Sequence, residues 1–378
     1  MAQSLDIMVA LSGGVDSAVA ALRLKQAGHR VQALHMTNWE DDDGYCNAAE
    51  DFQDARRVCQ QLDIPLHRVN FSRDYQQKVF SHFLSEIVAG RTPNPDILCN
   101  REIKFGVFRQ HAQRLGTPWM ATGHYARLRP GNPIQLLKGV DENKDQTYFL
   151  HRVSAEQLNH VLFPVGELTK AEVRESAREM GLSVAAKRDS TGICFIGERP
   201  FDDFLGRYVQ GEPGPMLTSE GRLVGEHKGL PFYTIGQRHG LGLGGDASGS
   251  GEPWYVAAKH IATNTLRVVQ GSQHPALFAP GLLASNLAWI GPPPDDLDTG
   301  VQLEARIRHR QQVQQCLVTA TAKNSVQVTF DRLQRAIAPG QAVVFYQGDT
   351  CLGGGSIDAA IAATANPTAI EPRQAAGR

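Results

Sequence analysis

The chain has 378 residues, a formal net charge of −1, 42% hydrophobic residues and 20% charged residues. That length predicts two or three domains rather than one core, and a charge near zero excludes a uniformly basic nucleic-acid coat, so any nucleic-acid surface has to be a local patch. No stretch reaches the roughly 18 apolar residues of a membrane span, and the polar start "MAQSLD" is unlike a secretory leader, which together predict a cytoplasmic protein with no membrane partner.

The first half alternates strand and helix signals. "DIMVAL" (6–11) reads as a buried strand, 15–27 as a helix ended by Gly28, and "VQALHM" (31–36) as a second strand. A helix over 49–64 closes at Pro65, "LHRVNF" (66–71) is a third strand, and 73–89 is a third helix. The stretch 90–100, "GRTPNPDILCN", reads as a loop, 101–116 as a helix and "WMATGHYARL" (119–128) as one further strand. Such alternation predicts an α/β fold, a parallel sheet with helices on both faces. Residues 169–181 form an amphipathic helix with Thr169 as N-cap and Glu172 three positions on, a capping box. "AAKRDSTGICFIG" (185–197) reads as loop into strand. From about residue 198 glycine and proline become dense and strands short. "SVQVTF" places Val326, Val328 and Phe330 on one face, the mark of a small barrel or sandwich. The expected domains are 1–197, a central small β-rich domain over 198–272, a C-terminal β-barrel over 273–362 and a disordered tail over 363–378.

The turn after the first strand, "LSGGVDS", carries the first chemical signal. A strand, a glycine turn and a helix set backbone N–H groups at a helix N-terminus, an anion site. No lysine follows the glycines, so the Walker pattern is absent, and so is G-x-G-x-x-G. Glycines alone are equally a tight turn with no ligand. The full S-G-G-x-D-S after a buried first strand resembles the PP-loop of the ATP pyrophosphatase superfamily, whose fold is the adenine nucleotide α-hydrolase type and whose members split ATP to AMP and pyrophosphate. The resemblance implies that Ala10, Leu11, Ser12, Gly13, Gly14, Val15, Asp16 and Ser17 bind ATP, with Asp16 expected to help place Mg2+. Met36 and Gly123, at carboxyl ends of strands, are expected to line the adenosine. No side-chain cluster reads as a resident metal site.

Six cysteines stand at 46, 59, 99, 194, 316 and 351. None forms C-x-x-C, which argues against a zinc ribbon or ferredoxin-like cluster. Cys99 precedes the helix read from 101, where a thiol has a lowered pKa, and Asp96 stands three residues earlier as a proton carrier. The alternative is an inert loop cysteine. Cys194, among Ile193, Phe195 and Ile196, reads equally as a core strand residue. Cys59, Cys316 and Cys351 read as structural, and Cys46 follows an acidic loop.

"ALSGGVDS", "LHMTNW", "TPNPDILCNREIKF", "ATGHYAR", "KDQTYFL", "DSTGICFIG", "GEHKGLPFYTIGQRHGLGLGG" and "PWYV" occur in that order. Together they resemble the tRNA-specific 2-thiouridylase family over roughly residues 6 to 360. The resemblance implies an ATP-dependent tRNA sulfurtransferase that adenylates O2 of the wobble uridine, carries sulfur as a Cys194 persulfide, and uses Cys99 as nucleophile with a transient Cys99–Cys194 disulfide. Asp96 would be the acid–base group. Asn94, Pro95 and Asp96 would touch the target base, and His124, Lys144, Asp145, Gln146 and Gln341 the tRNA. Arg308 and His309 match a family Arg–Tyr pair; the histidine is a departure that puts stacking there in question, and "RIRHR" is otherwise a solvated edge strand. The implied partners are a tRNA with a wobble uridine and a sulfur donor, a cysteine desulfurase or a relay of small carriers. A monomer is the default expectation. A PP-loop ligase or amidase, a tRNA-binding module without chemistry and an iron–sulfur-dependent thiolase are the competing readings.

Overall fold

β1 (Asp6–Ala10) sends Ile7 and Val9 into one buried cluster and Met8 into another, so both faces of the first strand are dry. Burial on both faces is what a parallel strand between two helical layers requires. The computed structural model describes residues 4–39, 48–189, 200–244 and 251–362. β2 (Arg30–Thr37), β3 (Leu66–Asn70), β4 (Trp119–Ala121) and β7 (Val161–Leu162) join β1 in a five-stranded parallel sheet, ordered β3-β2-β1-β4-β7. Helices α1 (Val15–Gln26) and α2 (Ala48–Leu62), with the Lys170–Glu179 helix, cover the Ile7 face. The helical runs 72–88 and 95–114 cover the Met8 face. The order turns between β1 and β4, the position where open α/β sheets bind ligands.

Two expectations are corrected. The strand read over 119–128 stops at Ala121. Gly123 lies so close to α1 that a Cβ there would come within 2.6 Å of the Ser17 amide nitrogen, so the chain has to turn over the loop. It resumes as β5 (Ala126–Arg129), which pairs antiparallel with β6 (Gln135–Lys138) and leaves the parallel sheet altogether. The loop read over 90–100 is half helix. Asn94 caps it, its Oδ1 accepting from the Asp96 N–H at 3.1 Å, with Pro95 at the first helical position. Asparagine followed by proline is a helix start as well as a turn.

β8 (Gly214–Leu217), β9 (Leu223–His227), β10 (Trp254–His260) and β11 (Thr265–Gln270) form a separate sheet, ordered β10-β11-β8-β9. β12 (Phe278–Trp289), β13 (Val301–Arg306), β14 (Gln314–Ala322), β15 (Ser325–Arg335), β16 (Ala342–Gln347) and β17 (Thr350–Ile361) close into a six-stranded barrel through β12–β17 pairing. Closure removes the exposed edges. Val326, Val328, Val343 and Phe345 fill the barrel, as the alternation predicted. The expected tail 363–378, Cys46 and Cys194 lie outside the described residues.

The barrel is not tethered by chain alone. β6 adds to β17, pairing Leu137 with Thr350 and Leu136 with Cys351. Tyr148, Val344 and Tyr346 share the cluster that buries Met8. Inside this seam Arg306 donates to Asp145 at 2.7 Å, with side chains 7% and 0% exposed. Asp145 also accepts from the Gly139 amide and from Thr147. Removing one partner of a buried pair strands the other charge, so Asp145→Asn and Arg306→Met are each expected to cost about 3–5 kcal/mol. Urea unfolding midpoints check this, and a double substitution should cost less than the sum of the singles.

Candidate functional site

The turn after β1 is shaped by backbone constraints. Gly13 has φ +86°, and a Cβ there would sit 2.3 Å from the Asp51 carbonyl oxygen at the start of α2. No other residue fits that position without shifting α2. Gly14 is the N-cap of α1 and has no side-chain hydrogen bond over the first turn. The first-turn amides therefore stay available to an anion. The Ser12 N–H donates to Ser17 Oγ at 3.2 Å and Ser17 Oγ to the Gly14 carbonyl at 3.1 Å, which sets the loop's curvature. Met36 ends β2 half-buried and Gly123 follows β4, so loop, Met36 and Gly123 come together at the carboxyl edge of the sheet.

Asp16, in the first turn of α1, is not an open carboxylate. Tyr125 donates its hydroxyl to it at 2.7 Å and Lys170 Nζ donates at 2.7 and 2.9 Å. Lys170 also meets Asp189 at 2.7 Å, and Asp189 receives Lys144 and Arg174, each at 2.8 Å. Burial alone would raise the Asp189 carboxyl; the hydrogen bonds from Lys144 and Lys170 outweigh it and hold the group at about 2. Lys187 pairs with Asp51, at 2.7 Å, and with Asp54, both in α2. Among the described residues no group of three or more His, Cys, Asp or Glu side chains is placed to hold a metal. Asp16, the residue expected beside Mg2+, is paired here with Lys170 and Tyr125.

The 95–114 helix carries the next group. Cys99 is not at its N-terminus, as expected, but one turn in, where a π-helical stretch, Cys99–Phe108, begins. It is 2% exposed and lies in the same cluster as Met8, Met120 and Ile103, with Met36 packed on that cluster. The wide turn leaves Arg101 and Phe105 carbonyls that Gln157 Nε2 takes at 2.9 and 3.2 Å. The other described cysteines are inert by environment. Burial pushes the thiols of Cys59 and Cys316 up to about 12 and raises that of Cys351 too.

The expected tRNA contacts divide. Asn94 and Asp96 are half-exposed at the helix start, whereas Pro95 is buried. Asp145 is a correction, since its carboxylate is sealed against Arg306. His124 is another. It is buried, hydrogen-bonded to Thr122 at 2.7 Å, and its protonation is suppressed by burial and by Lys104. His309 donates its Nε2–H to the Asp145 carbonyl at 3.0 Å and packs its ring 4.3 Å from Phe149, inside the seam. Arg308 donates to the Ala336 carbonyl at 2.9 Å and is exposed. Lys144 and Gln146 are half-exposed. Gln341 Nε2 donates to the Thr92 carbonyl at 2.7 Å, so the barrel reaches the segment before Asn94.

Sequence reading missed Lys170, Asp189 and Tyr125. The capping box at Thr169 does set residue 170 at a helix start, but nothing local says that this helix abuts α1.

Comparison with known proteins gives three family-model matches: "tRNA methyl transferase HUP domain" over residues 5–198, "tRNA methyl transferase PRC-barrel domain" over 202–270 and "Aminomethyltransferase beta-barrel domain" over 279–357. The chain is 53% identical over 357 residues to the tRNA-specific 2-thiouridylase MnmA of Pseudomonas entomophila, covering 94% of this chain and 95% of that one. It is 50% identical over 357 residues to the protein of the same name from Bacillus subtilis strain 168, covering 93% and 94%. Among solved structures, a 4-thiouridine synthetase–RNA complex with bound ATP matches at 19% identity and TM-score 0.35, over 53% of this chain and 48% of that one.

Beside the 95–114 helix, His151 lines a small cavity with Asn94, Pro95 and Gly340. Burial lowers its pKa to about 3. Between that value and about 6.5 the unfolded chain binds more protons, so stability falls as pH drops through this window, by up to about 1 kcal/mol per pH unit. Urea midpoints from pH 6.5 down to 4 should show a shallower decline for His151→Asn than for the unaltered protein.

Proposed function

The chain belongs to the tRNA-specific 2-thiouridylase family and is a tRNA sulfurtransferase, and we propose that it activates the wobble uridine with ATP and delivers sulfur through Cys194 and Cys99. The observation that carries this is the open first turn of α1 at the strand edge, together with a helix on the opposite face of the sheet that begins with Asn94–Asp96 and buries Cys99 one turn later. Residues 10–17 hold the ATP phosphates on backbone amides, and Met36 and Gly123 bound the adenosine. Mg2+ travels with the phosphates rather than on a protein cluster.

The uracil O2 attacks the α-phosphorus, and pyrophosphate leaves. Asp96 handles the proton that the uracil gains or loses. The terminal sulfur of a Cys194 persulfide attacks C2, and AMP leaves with the oxygen. The Cys99 thiolate then attacks Cys194 Sγ, which frees the 2-thiouridine sulfur and leaves a Cys99–Cys194 disulfide. A thiol reductant restores both thiols, and a sulfur donor reloads Cys194. Asn94 and Asp96 meet the flipped base. Lys144, Gln146 and Arg308 supply phosphate contacts, the local basic patch that a chain of charge −1 requires.

The family models speak of methyl transfer, yet an S-G-G-V-D-S loop and two cysteines serve adenylation and sulfur delivery. Incubating unmodified tRNA with the protein, ATP, Mg2+ and a persulfide-level sulfur donor, a cysteine desulfurase with L-cysteine, followed by nucleoside analysis, is expected to yield 2-thiouridine. Cys99→Ser and Cys194→Ser are each expected to abolish it while tRNA-dependent pyrophosphate release persists. Normal thiolation by either variant would overturn the sulfur route, and absence of pyrophosphate release by the unaltered protein would overturn the ATP step.

A further inference from the structure

The loop between β1 and α1 contains no cation. Ser12 to Ser17 reads S-G-G-V-D-S, and the only charge in it is the Asp16 carboxylate. A triphosphate arriving there meets the backbone amides and a helix dipole worth about half a charge. That is too little for a polyanion that is to be split at its α-phosphorus, where negative charge builds on the departing pyrophosphate.

We propose that Lys170, at the first turn of a helix more than 150 residues downstream, is the phosphate-binding lysine that this loop lacks. The inference rests on the ATP reading above and extends it to a residue the loop motif does not contain. Its ammonium is already at the loop, 2.7 Å from Asp16 Oδ1, in the same first turn of α1 whose amides are open. Its side chain is 13% exposed, so the charge is largely desolvated and the stem is held. Asp141 caps the Lys170 amide at 3.0 Å, and the Tyr125 ring lies 5.9 Å below the ammonium. Three cations, Lys170, Lys144 and Arg174, share the Asp16 and Asp189 carboxylates. Among the described residues Lys170 alone bridges the two. A small torsional change moves its ammonium off these carboxylates to the β- and γ-phosphates, while its buried stem stays held. A lysine fixed in this way loses little freedom on binding, which is the physical content of preorganisation. The point charge of an ammonium suits a phosphate cluster, as the P-loop lysine does in an unrelated fold.

A purely structural lysine at this place would matter equally to every nucleotide, and that difference makes the test. Calorimetric titration of the full chain with ATP and with AMP, in the presence of Mg2+, gives both affinities. Lys170→Gln is expected to weaken ATP by about tenfold or more, the loss of one charge-assisted phosphate contact, and AMP by less than about threefold. Lys170→Arg should retain ATP within about threefold of the unaltered protein. Asp189→Asn removes a competing carboxylate while leaving Lys170 in place, and should bind ATP as tightly or more tightly. Equal losses of ATP and AMP in Lys170→Gln, or no loss of ATP, would overturn the assignment. So would a tenfold loss of ATP in Asp189→Asn, the readout that stands if the glutamine variant does not fold. An unaltered protein that binds neither nucleotide would overturn the ATP reading itself.

Discussion

Asp145 carries a charge with no exposed surface, and the layout of the molecule follows from how that charge is compensated. A lone buried carboxylate is not tolerated in a folded chain. Here Arg306 of β13 supplies the guanidinium, and Gly139 and Thr147 supply further donors. The pair therefore holds the barrel against the sheet domain at one register. Around it the β5–β6 hairpin extends the barrel sheet, His309 closes over the Asp145 carbonyl, and Tyr148 reaches the Ala342 carbonyl at 3.0 Å. Hydrophobic burial supplies the adhesion across this seam, while the ion pair and its hydrogen bonds supply the direction.

Once the barrel is placed, it fixes the start of the cysteine-bearing helix. The Thr92 N–H donates to the Pro339 carbonyl at 2.8 Å and Gln341 takes the Thr92 carbonyl. The middle sheet adds Lys259, which donates to the Gly90 carbonyl at 3.1 Å and whose pKa burial lowers to about 8. Residues 90–92 are thus held by two other sheets, and the helix begins three residues later at Pro95. A segment read from sequence as a loop is thus an anchored one. Gln341, expected to touch tRNA, spends its amide on this anchor.

Much of the parallel-sheet half was legible because its signals are local. Alternation of buried strands with amphipathic helices gave the sheet, Thr169 and Glu172 gave a capping box that the structure contains, and period-two alternation gave the barrel strands around Val326 and Val328. What was not legible depends on contacts far apart in sequence. No window around Asp145 reveals Arg306, 161 residues away, so a buried lock read as a surface contact. His124 was misplaced for the same reason. The strand 119–128 failed because Gly123 packs on α1, a tertiary constraint, while the apolar pattern ran straight through it. The loop motif was legible as a phosphate cradle, yet its charge balance was not, since Lys170 and Asp189 come from segments read only as a helix start and a loop.

The position of Cys99 changes how its chemistry has to be argued. A thiol at a helix N-terminus gains from the dipole and is open to water. One turn further in and 2% exposed, Cys99 gains less from the dipole and is shielded from solvent oxidants and stray nucleophiles. In the sulfur route proposed above, Cys99 acts once per cycle, after sulfur has reached the base, and its burial keeps it covered until then. Within the π-helical stretch Cys99–Phe108, Gln157 adds side-chain hydrogen bonds to the Arg101 and Phe105 carbonyls, which ties the wide turns to the neighbouring helix. The helix start is clamped by two neighbouring sheets, and the thiol lies one turn beyond that clamp, where the π-helical stretch begins.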